Sequence, residues 1–467
     1  MHSRWKQSIA AVVTTLAGLV LATGGPAADR NGGPTAGGPW PAQDLAFLRD
    51  LARDVVRASA LKPGDRVGNS PMNTAGFSLY MPGGQTGYSA FWIRDFAMSL
   101  DSGLFTAAEI SNHLVFEAAA QNGAAPRPLR HGLTVPPFAI PDHINFDGGA
   151  VFYPGTYSAT EDQGDGTFGQ LPPVDDQYEF VHTAYALFQT TGDARFLATE
   201  INGRSLLDRL TNAFAAPEVD ATSELVSTTA NQRAVGFGFY DGVYFTGQVL
   251  FPSLLRYQAA GELSRLCAAL GKQDEAANYR RLQTRIAQEI EATFGASPRL
   301  RGWLQAATGI GGQADVWGTL FALHLGVLDG DGTRRATVAV LDGVRRGTIV
   351  AEAAVRHVPA DMDYATNSAW ERTVGIRVNT YQNGAYWHTA TGWLIEAVDR
   401  ADASLARRLF ADYVTHLRRQ DFRLGPGHEA PWECFHPASG GQNGVYMTSV
   451  TLPYAVLSAG WRPTTPP

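Results

Sequence analysis

A carboxylate surrounded by aromatic rings lies near the C-terminus of the chain. Glu433 is flanked by Trp432 and Phe435, and Pro431 and Gly440 bound the segment, which predicts a loop. Aromatic rings stack on the apolar faces of sugar rings, and a carboxylate can activate water or protonate a leaving oxygen. The segment therefore predicts sugar chemistry at Glu433, with Trp432 as a stacking surface.

A charged pair beside a tryptophan stands far upstream. Trp92 is followed by Arg94 and Asp95. A guanidinium fork and a carboxylate hold adjacent hydroxyl groups by paired hydrogen bonds, so this pair is a candidate to bind a terminal sugar. A structural ion pair at the start of a helix is the alternative. Trp92 and Trp387 are further stacking candidates, and core packing is the other interpretation of both.

Asp241 is the candidate for a second catalytic carboxylate. Phe239 and Tyr240 precede it, and neighbouring rings favour a protonated acid by excluding water. Tyr240 is also a candidate sugar contact. Asp241 and Gly242 together form a common turn signal that needs no chemistry. Three other acids compete for the role, and the first two suit the N-cap of a helix better than catalysis: Asp175, Asp176 and Glu179.

Two more polar residues are candidates for binding substrate. Asn383 precedes Gly384 at the predicted start of a helix, where its amide either binds a hydroxyl group or caps the helix. Glu429 lies four residues before Glu433 and next to His428. It is the alternative general base as well as a candidate sugar contact.

The sequence favours neither a metal nor a cofactor. One acidic loop leaves a structural calcium open, although it lacks EF-hand spacing. Its polar residues are Asp142, His143, Asp147, Asp162 and Asp165. The group formed by His428, Cys434 and His436 does not follow zinc spacing. The sequence contains no Walker A motif and no dinucleotide fingerprint.

Composition indicates a globular protein and suits a carbohydrate partner without requiring one. The chain has 467 residues, of which 45% are hydrophobic and 17% charged. The net charge of -7 argues against nucleic acid and anionic lipid as partners. Ten Trp, 16 Tyr and 23 Phe suit carbohydrate binding, although most must serve the core. The sequence does not determine the oligomeric state.

The N-terminus has the pattern of a secretory signal. Arg4 and Lys6 precede an apolar run from Ile9 to Ala22, and small residues follow through Ala28. We expect a signal peptide at 1–28, a flexible Gly/Pro-rich linker at 29–41 and one catalytic domain at 42–463 in a secreted or periplasmic protein. An uncleaved membrane anchor is the alternative. Two cysteines are too few for a disulfide scaffold, and Cys267, on the apolar face of a helix, is expected to be a buried thiol.

The mature chain has a mostly helical pattern. About twelve helices alternate with short turns and three long polar loops, at 123–174, 215–248 and 350–382. Among the predicted helices are one that Thr106 caps, one that ends at Gly192, one over 194–214 and one over 273–294. Long loops on a helical scaffold are where sites usually lie. We find no fixed repeat of the kind an α-solenoid requires. Paired helices of this number predict an all-α toroid of six inner and six outer helices, with the long loops on one face.

Three segments in order resemble the six-hairpin glycosidases, the (α/α)6-barrel superfamily. They are Trp92-Ile93-Arg94-Asp95, then Tyr381-Gln382-Asn383-Gly384-Ala385-Tyr386-Trp387, then Glu433-Cys434-Phe435-His436-Pro437-Ala438-Ser439-Gly440. The nearest resemblance is to the trehalase and processing α-glucosidase group. In that group the general base is a Glu that opens a segment like the third one, which matches Glu433. Its general acid is an Asp that follows a Gly/aromatic run and precedes a long helix pair, which matches Asp241.

The resemblance implies a secreted inverting glycoside hydrolase that acts on a neutral oligosaccharide or glycoside, with an α-glucoside as one candidate. An inverting pair of carboxyl groups lies about 6.5–9.5 Å apart. Two alternatives remain open. One is another carbohydrate-active enzyme on the same toroid, namely a phosphorylase, lyase or epimerase, whose cavity would carry a basic cluster or paired histidines. The other is a carbohydrate-binding protein without catalytic activity.

Overall fold

The computed structural model describes residues 39–84, 87–230, 238–295 and 297–459. The predicted signal peptide and most of the predicted linker lie outside these residues. Twelve α-helices occur in the described part, the number expected from the sequence. In chain order they are α1 (Ala42–Ser59), α2 (Ile93–Ala97), α3 (Ala107–Ala120), α4 (Asp176–Thr191), α5 (Leu206–Ala215), α6 (Leu250–Ala269), α7 (Gln273–Phe294), α8 (Val316–Leu325), α9 (Gly330–Arg345), α10 (Thr391–Asp399), α11 (Ala403–Arg419) and α12 (Thr448–Ala459).

Six helical segments contact one another in cyclic order. Helix α2, followed by a 3₁₀ turn (Leu100–Ser102), packs against α4; α4 packs against α6, α6 against α8, α8 against α10, and α10 against α12. Helix α12 in turn packs against the 3₁₀ turn after α2, which closes the ring. The helices of this ring are apolar on most sides: every residue of α8 from Val316 to Leu323 is buried.

The other six helices each pack against one or two members of the ring. Helix α1 contacts α12, α3 contacts α4, α5 contacts α4 and α6, α7 contacts α6, α9 contacts α8 and α10, and α11 contacts α10. Five of these helices are amphipathic, whereas α3 is buried over most of its length. In α1 the residues Leu48, Leu51 and Val55 are buried at helical spacing, while the charged residues of the same helix lie toward solvent.

Short strands are also present, so the expectation of an all-α chain needs correction. The strands are β1 (Ala60–Leu61), β2 (Leu79–Tyr80), β3 (Phe91–Trp92), β4 (Arg127–Pro128), β5 (Thr134–Val135), β6 (His143–Ile144), β7 (Ala150–Val151), β8 (Glu200–Ile201), β9 (Arg204–Ser205), β10 (Ser227–Thr228), β11 (Gly247–Gln248), β12 (Val350–Ala351), β13 (Ala354–Arg356), β14 (Tyr386–Trp387), β15 (Trp432–His436) and β16 (Gly440–Gly444).

Two of the resulting sheets position the site. Strands β12 to β16 form a five-stranded antiparallel sheet in chain order, in which Cys434 pairs with Gln442 and Phe435 with Gly441. Strands β3, β6 and β7 form a second sheet, in which Trp92 pairs with His143. The segment around Glu433 is therefore a strand and not the loop that its Pro and Gly neighbours predicted.

Local sequence signals located several helix ends correctly. Helix α7 spans Gln273–Phe294 as predicted. The predicted cap of α3 is present as a full capping box between Thr106 and Glu109, and Gly192 ends α4 with a φ of 68°. The helix predicted over 194–214 is wrong in its first half, where the chain forms a 3₁₀ turn and the β8–β9 hairpin.

The described residues share one large apolar core, with a smaller cluster under the first long loop. That cluster comprises Leu129, Leu133, Val135, Ala139, Phe152 and Tyr153. Trp40, at the end of the predicted linker, is buried and stacks on Phe410 with a centroid distance of 4.8 Å. Cys267 and Cys434 are free buried thiols, as expected for Cys267. Across the described residues, no helix has the length and apolarity that crossing a bilayer requires.

Candidate active site

A cavity of about 310 Å³ brings together residues that precede or open the helices of the ring. Trp92, Arg94 and Asp95 lie at the start of α2, and Tyr446 lies just before α12. Its full lining in the described part of the chain is Pro82, Tyr88, Trp92, Arg94, Asp95, Phe239, Asp241, Tyr381, Glu433 and Tyr446. The structure thus places five residues singled out from the sequence around one cavity: Trp92, Arg94, Asp95, Asp241 and Glu433.

Glu433 lies on β15 and is 1% exposed. The Tyr88 hydroxyl lies 2.8 Å from its Oε1 and 2.9 Å from its Oε2. Asn443, on the neighbouring strand β16, donates from Nδ2 to Oε2 at 2.5 Å. Burial raises the pKa of Glu433 to about 8, although both hydrogen bonds act in the opposite direction. The carboxyls of Asp95 and Asp241 raise this pKa further.

Asp241 lies in a tight turn on the second long loop. The Val243 amide donates to the Tyr240 carbonyl at 2.9 Å, so the Asp-Gly turn signal was correct as local structure. Gln382 donates from Nε2 to Asp241 Oδ1 and accepts from the Gly242 amide at 2.7 Å. Burial raises the pKa of Asp241, which suits a proton donor, while the bond from Gln382 lowers it.

Asp95 is a third carboxyl group in the same cavity. It is 2% exposed, and its Oδ1 is buried with no hydrogen-bond partner among the described residues. Burial raises the pKa of Asp95 to about 7, while a hydrogen bond from Tyr446 acts in the opposite direction. Because a buried polar atom normally has a partner, Oδ1 is a ready acceptor for a substrate hydroxyl.

Arg94 is committed to a buried cluster of carboxylates. Its Nε donates to Asp175 Oδ2 at 2.5 Å and its Nη2 to Asp175 Oδ1 at 3.0 Å. Nη2 also lies 3.5 Å from Asp142 and 3.4 Å from Asp176. Arg94 was predicted to bind sugar hydroxyl groups. This edge of its guanidinium already binds Asp175 and is therefore occupied.

Asp175 occupies the N-cap position of α4, as expected, but its carboxylate makes no hydrogen bond that caps the helix. It accepts instead from Arg94 and from the Gly238 amide at 2.6 Å. The capping prediction considered only the local chain, whereas a buried guanidinium from α2 is the stronger partner for a buried carboxylate.

Three residues at the site adopt a left-handed backbone that non-glycine residues rarely adopt. Their φ angles are 58° for Tyr88, 45° for Tyr381 and 49° for Asn443. The Tyr381 backbone is fixed on both sides: its amide donates to Gln442 Oε1 at 3.3 Å, and its carbonyl accepts from Trp387 Nε1 at 3.3 Å. Such conformations store about 1–3 kcal/mol each and cluster at active sites.

Several predicted substrate contacts do not line the cavity. The Tyr240 ring is fully buried, and its hydroxyl donates to Asp315 at 2.5 Å. Both ends of the Asn383 amide bind backbone, since Oδ1 accepts from the Ala369 amide and Nδ2 donates to the Ile376 carbonyl, each at 2.8 Å. Asn383 also precedes a strand, not the predicted helix. Trp387 is fully buried beneath Tyr381 and supports the cavity from below.

Trp432 and Glu429 lie beside the site without lining the cavity. Trp432 neighbours Phe435 and His416, and its indole lies against Gly441 of the facing strand. Glu429 is exposed. Glu433 therefore lines the cavity, and the alternative base Glu429 does not.

The competing acid Glu179 lines a different cavity of about 450 Å³ between the helices of the ring. His182, which binds Glu262 at 2.7 Å, lies beside it. Asp176 lies in the carboxylate cluster of Arg94. Neither acid shares the cavity of Glu433, so Asp241 is the better placed partner.

The acidic loop does not gather its carboxylates. Asp142 binds Arg94 and His143, the latter at 2.8 Å. Asp147 and Asp162 accept hydrogen bonds from their own neighbours in the chain, and Asp165 from the Thr167 amide. In the part of the chain that the structure covers, no group of three His, Cys, Asp or Glu side chains is arranged to hold a metal ion.

Sequence reasoning missed half of the polar site. It assigned no role to Tyr88, Tyr381, Gln382, Asn443 or Tyr446. One signal was available: the glycine-rich strand β16 carries two amides, Gln442 and Asn443, directly after the glutamate strand. In a hairpin, residues directly opposite one another have side chains on the same face of the sheet, which could have identified Asn443 as a partner of Glu433.

Comparison with known proteins identifies the fold. No family model matches the sequence, and no curated protein matches it. A rhamnosidase from Klebsiella oxytoca with rhamnose bound is 11% identical with a TM-score of 0.51, over 91% of this chain and 64% of that chain. A glycosidase variant in complex with glucose is 15% identical with a TM-score of 0.50, over 90% of this chain and 98% of that chain.

A further similar structure is the alpha-L-rhamnosidase from Dictyoglumus thermophilum, which is 12% identical with a TM-score of 0.51. The match covers 88% of this chain and 37% of that chain. The chain thus spans less than two thirds of either rhamnosidase, but almost the whole of the glycosidase. At these identities the likeness is one of fold: the chain has the fold of solved rhamnosidases and glycosidases.

Proposed function

We propose that the protein is an inverting glycoside hydrolase that removes one neutral sugar from the end of an oligosaccharide or glycoside. The observation that carries this proposal is the pair of carboxyl groups, Asp241 and Glu433, in one aromatic-walled cavity. The shared fold of glycosidases and rhamnosidases supports the reaction class. Asp241 acts as general acid and Glu433 as general base, as the resemblance of their segments implies.

In the reaction, the two carboxyl groups work on opposite faces of the sugar. Asp241 donates its proton to the glycosidic oxygen as the bond to the anomeric carbon breaks. Glu433 takes a proton from a water molecule that attacks the other face. Tyr88 and Asn443 hold the base through two hydrogen bonds, so that its oxygens face the water at a fixed angle.

The lining of the cavity favours an uncharged sugar ring. Trp92, Tyr88 and Phe239 supply apolar walls, and Asp95 is free to accept from a hydroxyl group. Because three carboxyls line the cavity and Arg94 is bound by Asp175, an acidic sugar is disfavoured.

The lining also argues against a phosphorylase and an epimerase of this architecture. Among its described residues Arg94 is the one cation, and no histidine is present. A phosphorylase needs cations for phosphate, and an epimerase of the kind considered above needs paired histidines. The acids at the cavity instead favour hydrolysis.

Two further parts of the proposal concern the whole chain. The closed ring of six helical segments with six helices packed on it supports an (α/α)6 toroid. All three long loops supply residues at or under the cavity, namely Asp142, Asp241 and Tyr381, which supports a single catalytic face. The N-terminal pattern of residues 1–28 supports export.

The test is hydrolysis of a panel of aryl glycosides and neutral disaccharides, including α-D-glucosides and α-L-rhamnosides. Glu433→Gln and Asp241→Asn should each lower kcat on the disaccharides by about 10²–10⁴-fold. Glu429→Gln is the matched control, because Glu429 is exposed and close in sequence. No turnover by the wild-type protein, together with intact sugar binding, would favour the binding-protein alternative.

A further inference from the structure

Two tyrosine hydroxyls connect the catalytic carboxyl groups. The Tyr88 hydroxyl contacts both oxygens of Glu433, at 2.8 and 2.9 Å. The Tyr381 hydroxyl lies 3.4 Å from Asp241 Oδ1. The two phenols are neighbours, since each shifts the pKa of the other. A row of adjacent carboxyl and hydroxyl groups therefore runs from Glu433 through Tyr88 and Tyr381 to Asp241.

An inverting cycle leaves its proton on the wrong carboxyl group. After hydrolysis Asp241 has lost a proton to the leaving group, and Glu433 has gained one from water. The next turnover needs the reverse arrangement. Exchange with bulk water is hindered at Glu433, because this side chain is 1% exposed and lines the cavity that the product occupies.

We infer that Tyr88 and Tyr381 return the proton from Glu433 to Asp241 after each turnover. The Glu433 carboxyl gives its proton to Tyr88 Oη, Tyr88 gives its own to Tyr381 Oη, and Tyr381 gives its own to Asp241 Oδ1. Each phenol loses one proton and gains one, so both end unchanged and no oxidant or reductant is needed. The inference rests on the proposed function.

The backbone holds the two phenols in place. Tyr88 and Tyr381 both have left-handed φ angles, which the surrounding contacts must impose. Gln442 and Trp387 fix the backbone of Tyr381, and Asn443 donates to Tyr88 Oη at 3.2 Å. With the oxygen atoms fixed, only hydroxyl rotation is required between transfers.

The charges at the site make such a path useful. Burial raises the pKa of Glu433 to about 8 and also raises that of Asp241, so the empty site holds a proton near neutral pH. Glu433 competes for this proton, although Asp241 must hold it when substrate binds. Burial also raises the pKa of both phenols, which keeps their protons available.

Tyr381→Phe tests the inference. It removes one hydroxyl group from the proton path, but it keeps the aromatic ring against Trp387 and the hydrogen bond from Tyr88 to Glu433. Bond cleavage is measured in a single turnover with enzyme in excess and compared with steady-state kcat, with and without added imidazole. We expect the ratio of the single-turnover rate to kcat to rise about tenfold or more. Imidazole, which carries protons through solution, should restore kcat of the variant and leave the wild type unaffected.

Tyr386→Phe is the matched control, since Tyr386 lies on β14 outside the cavity, and its ratio should stay at the wild-type value. Equal losses in single turnover and steady state, an unchanged kcat, or no response to imidazole would each overturn the relay while leaving hydrolysis in place. A wild-type protein that cleaves no glycoside even in a single turnover overturns the proposed function and the relay together.

Discussion

At the scale of single residues, the proposed function gives the two carboxyl groups different roles that can be told apart. A general acid is needed only when the leaving group requires a proton, whereas a general base is needed for every attack by water. Asp241→Asn should therefore keep most activity on a glycosyl fluoride, and Glu433→Gln should lose it. Initial rates on the fluoride and on the matching disaccharide check this. The reverse pattern would exchange the two assignments, an outcome consistent with the raised pKa of Glu433.

Asn443 offers a second test at this scale. Asn443→Gly keeps the left-handed backbone, since glycine adopts a φ of 49° without strain. It removes the hydrogen bond that lowers the pKa of Glu433, so this pKa rises. The acid limb of the pH profile of kcat/KM should move to higher pH, with stability changed by less than about 1 kcal/mol.

Asn202→Gly is the matched control for that variant, because Asn202 has a φ of 50° in an exposed turn. Its pH profile should be that of the wild type. An unshifted profile in Asn443→Gly would mean that Asn443 does not tune the base.

Residue types alone predicted only part of this site. Glu433, Asp241, Asp95, Arg94 and Trp92 stand out because carboxylates, a guanidinium and a ring occur close together in the sequence. Tyr88 contacts Glu433 across 345 residues of sequence, and no local pattern reports such a contact. Tyr240 was wrongly predicted to contact the sugar. The sequence does not show whether a phenol beside Asp241 faces the cavity or, as here, Asp315.

At the scale of elements, the β15–β16 hairpin positions the site. Glu433 lies on one strand, and Gln442 and Asn443 lie on the other. Gly441 lets the Trp432 indole pack against the facing strand, because a Cβ built there would lie 2.4 Å from that ring. The hairpin was predicted as a loop, since its glycines and proline indicate turns when pairing partners are unknown.

Gly441→Val should therefore displace Trp432 and distort the hairpin. We expect a loss of about 1–3 kcal/mol in stability from overpacking, together with a fall in kcat, although Gly441 does not line the cavity. Thermal unfolding and steady-state kinetics measure the two effects. Gly123→Val is the control, because a Cβ there meets no atom within 4 Å, and it should leave kcat unchanged. Retained activity in Gly441→Val would separate the hairpin from catalysis.

At the scale of the whole molecule, the helical ring was the most predictable feature. Helix number and most boundaries followed from apolar periodicity and caps, as at α7 and at Thr106. The short strands were not predictable, because strands of two or three residues carry no period. They form where loops meet around the cavity, as at Trp92 and His143.

The free energy of unfolding should depend on pH because Glu433 is buried. The pKa of Glu433 is about 8 in the folded protein against an ordinary value of 4.5, so the folded state binds this proton more tightly than the unfolded chain. Its contribution to stability is fully present below about pH 4.5 and is lost as the pH rises through about 8.

Glu433→Gln should therefore become more stable than the wild type as the pH rises from 5 to 9, by an amount on the order of 3 kcal/mol. Denaturant unfolding at several pH values measures the difference. In Glu429→Gln an exposed carboxyl group is replaced instead, and the difference from wild type should not vary in this way. A pH-independent difference for Glu433→Gln would show that the buried carboxyl is not destabilising when ionised.

The central claim, that Asp241 and Glu433 act together on opposite faces of one sugar, is tested most directly by the anomer of the first-formed product. Proton NMR of a stereochemically pure glycoside, recorded in the first minutes of hydrolysis before mutarotation, identifies it. The account predicts the inverted anomer. The retained anomer would contradict it, because retention requires one carboxylate to attack the anomeric carbon directly.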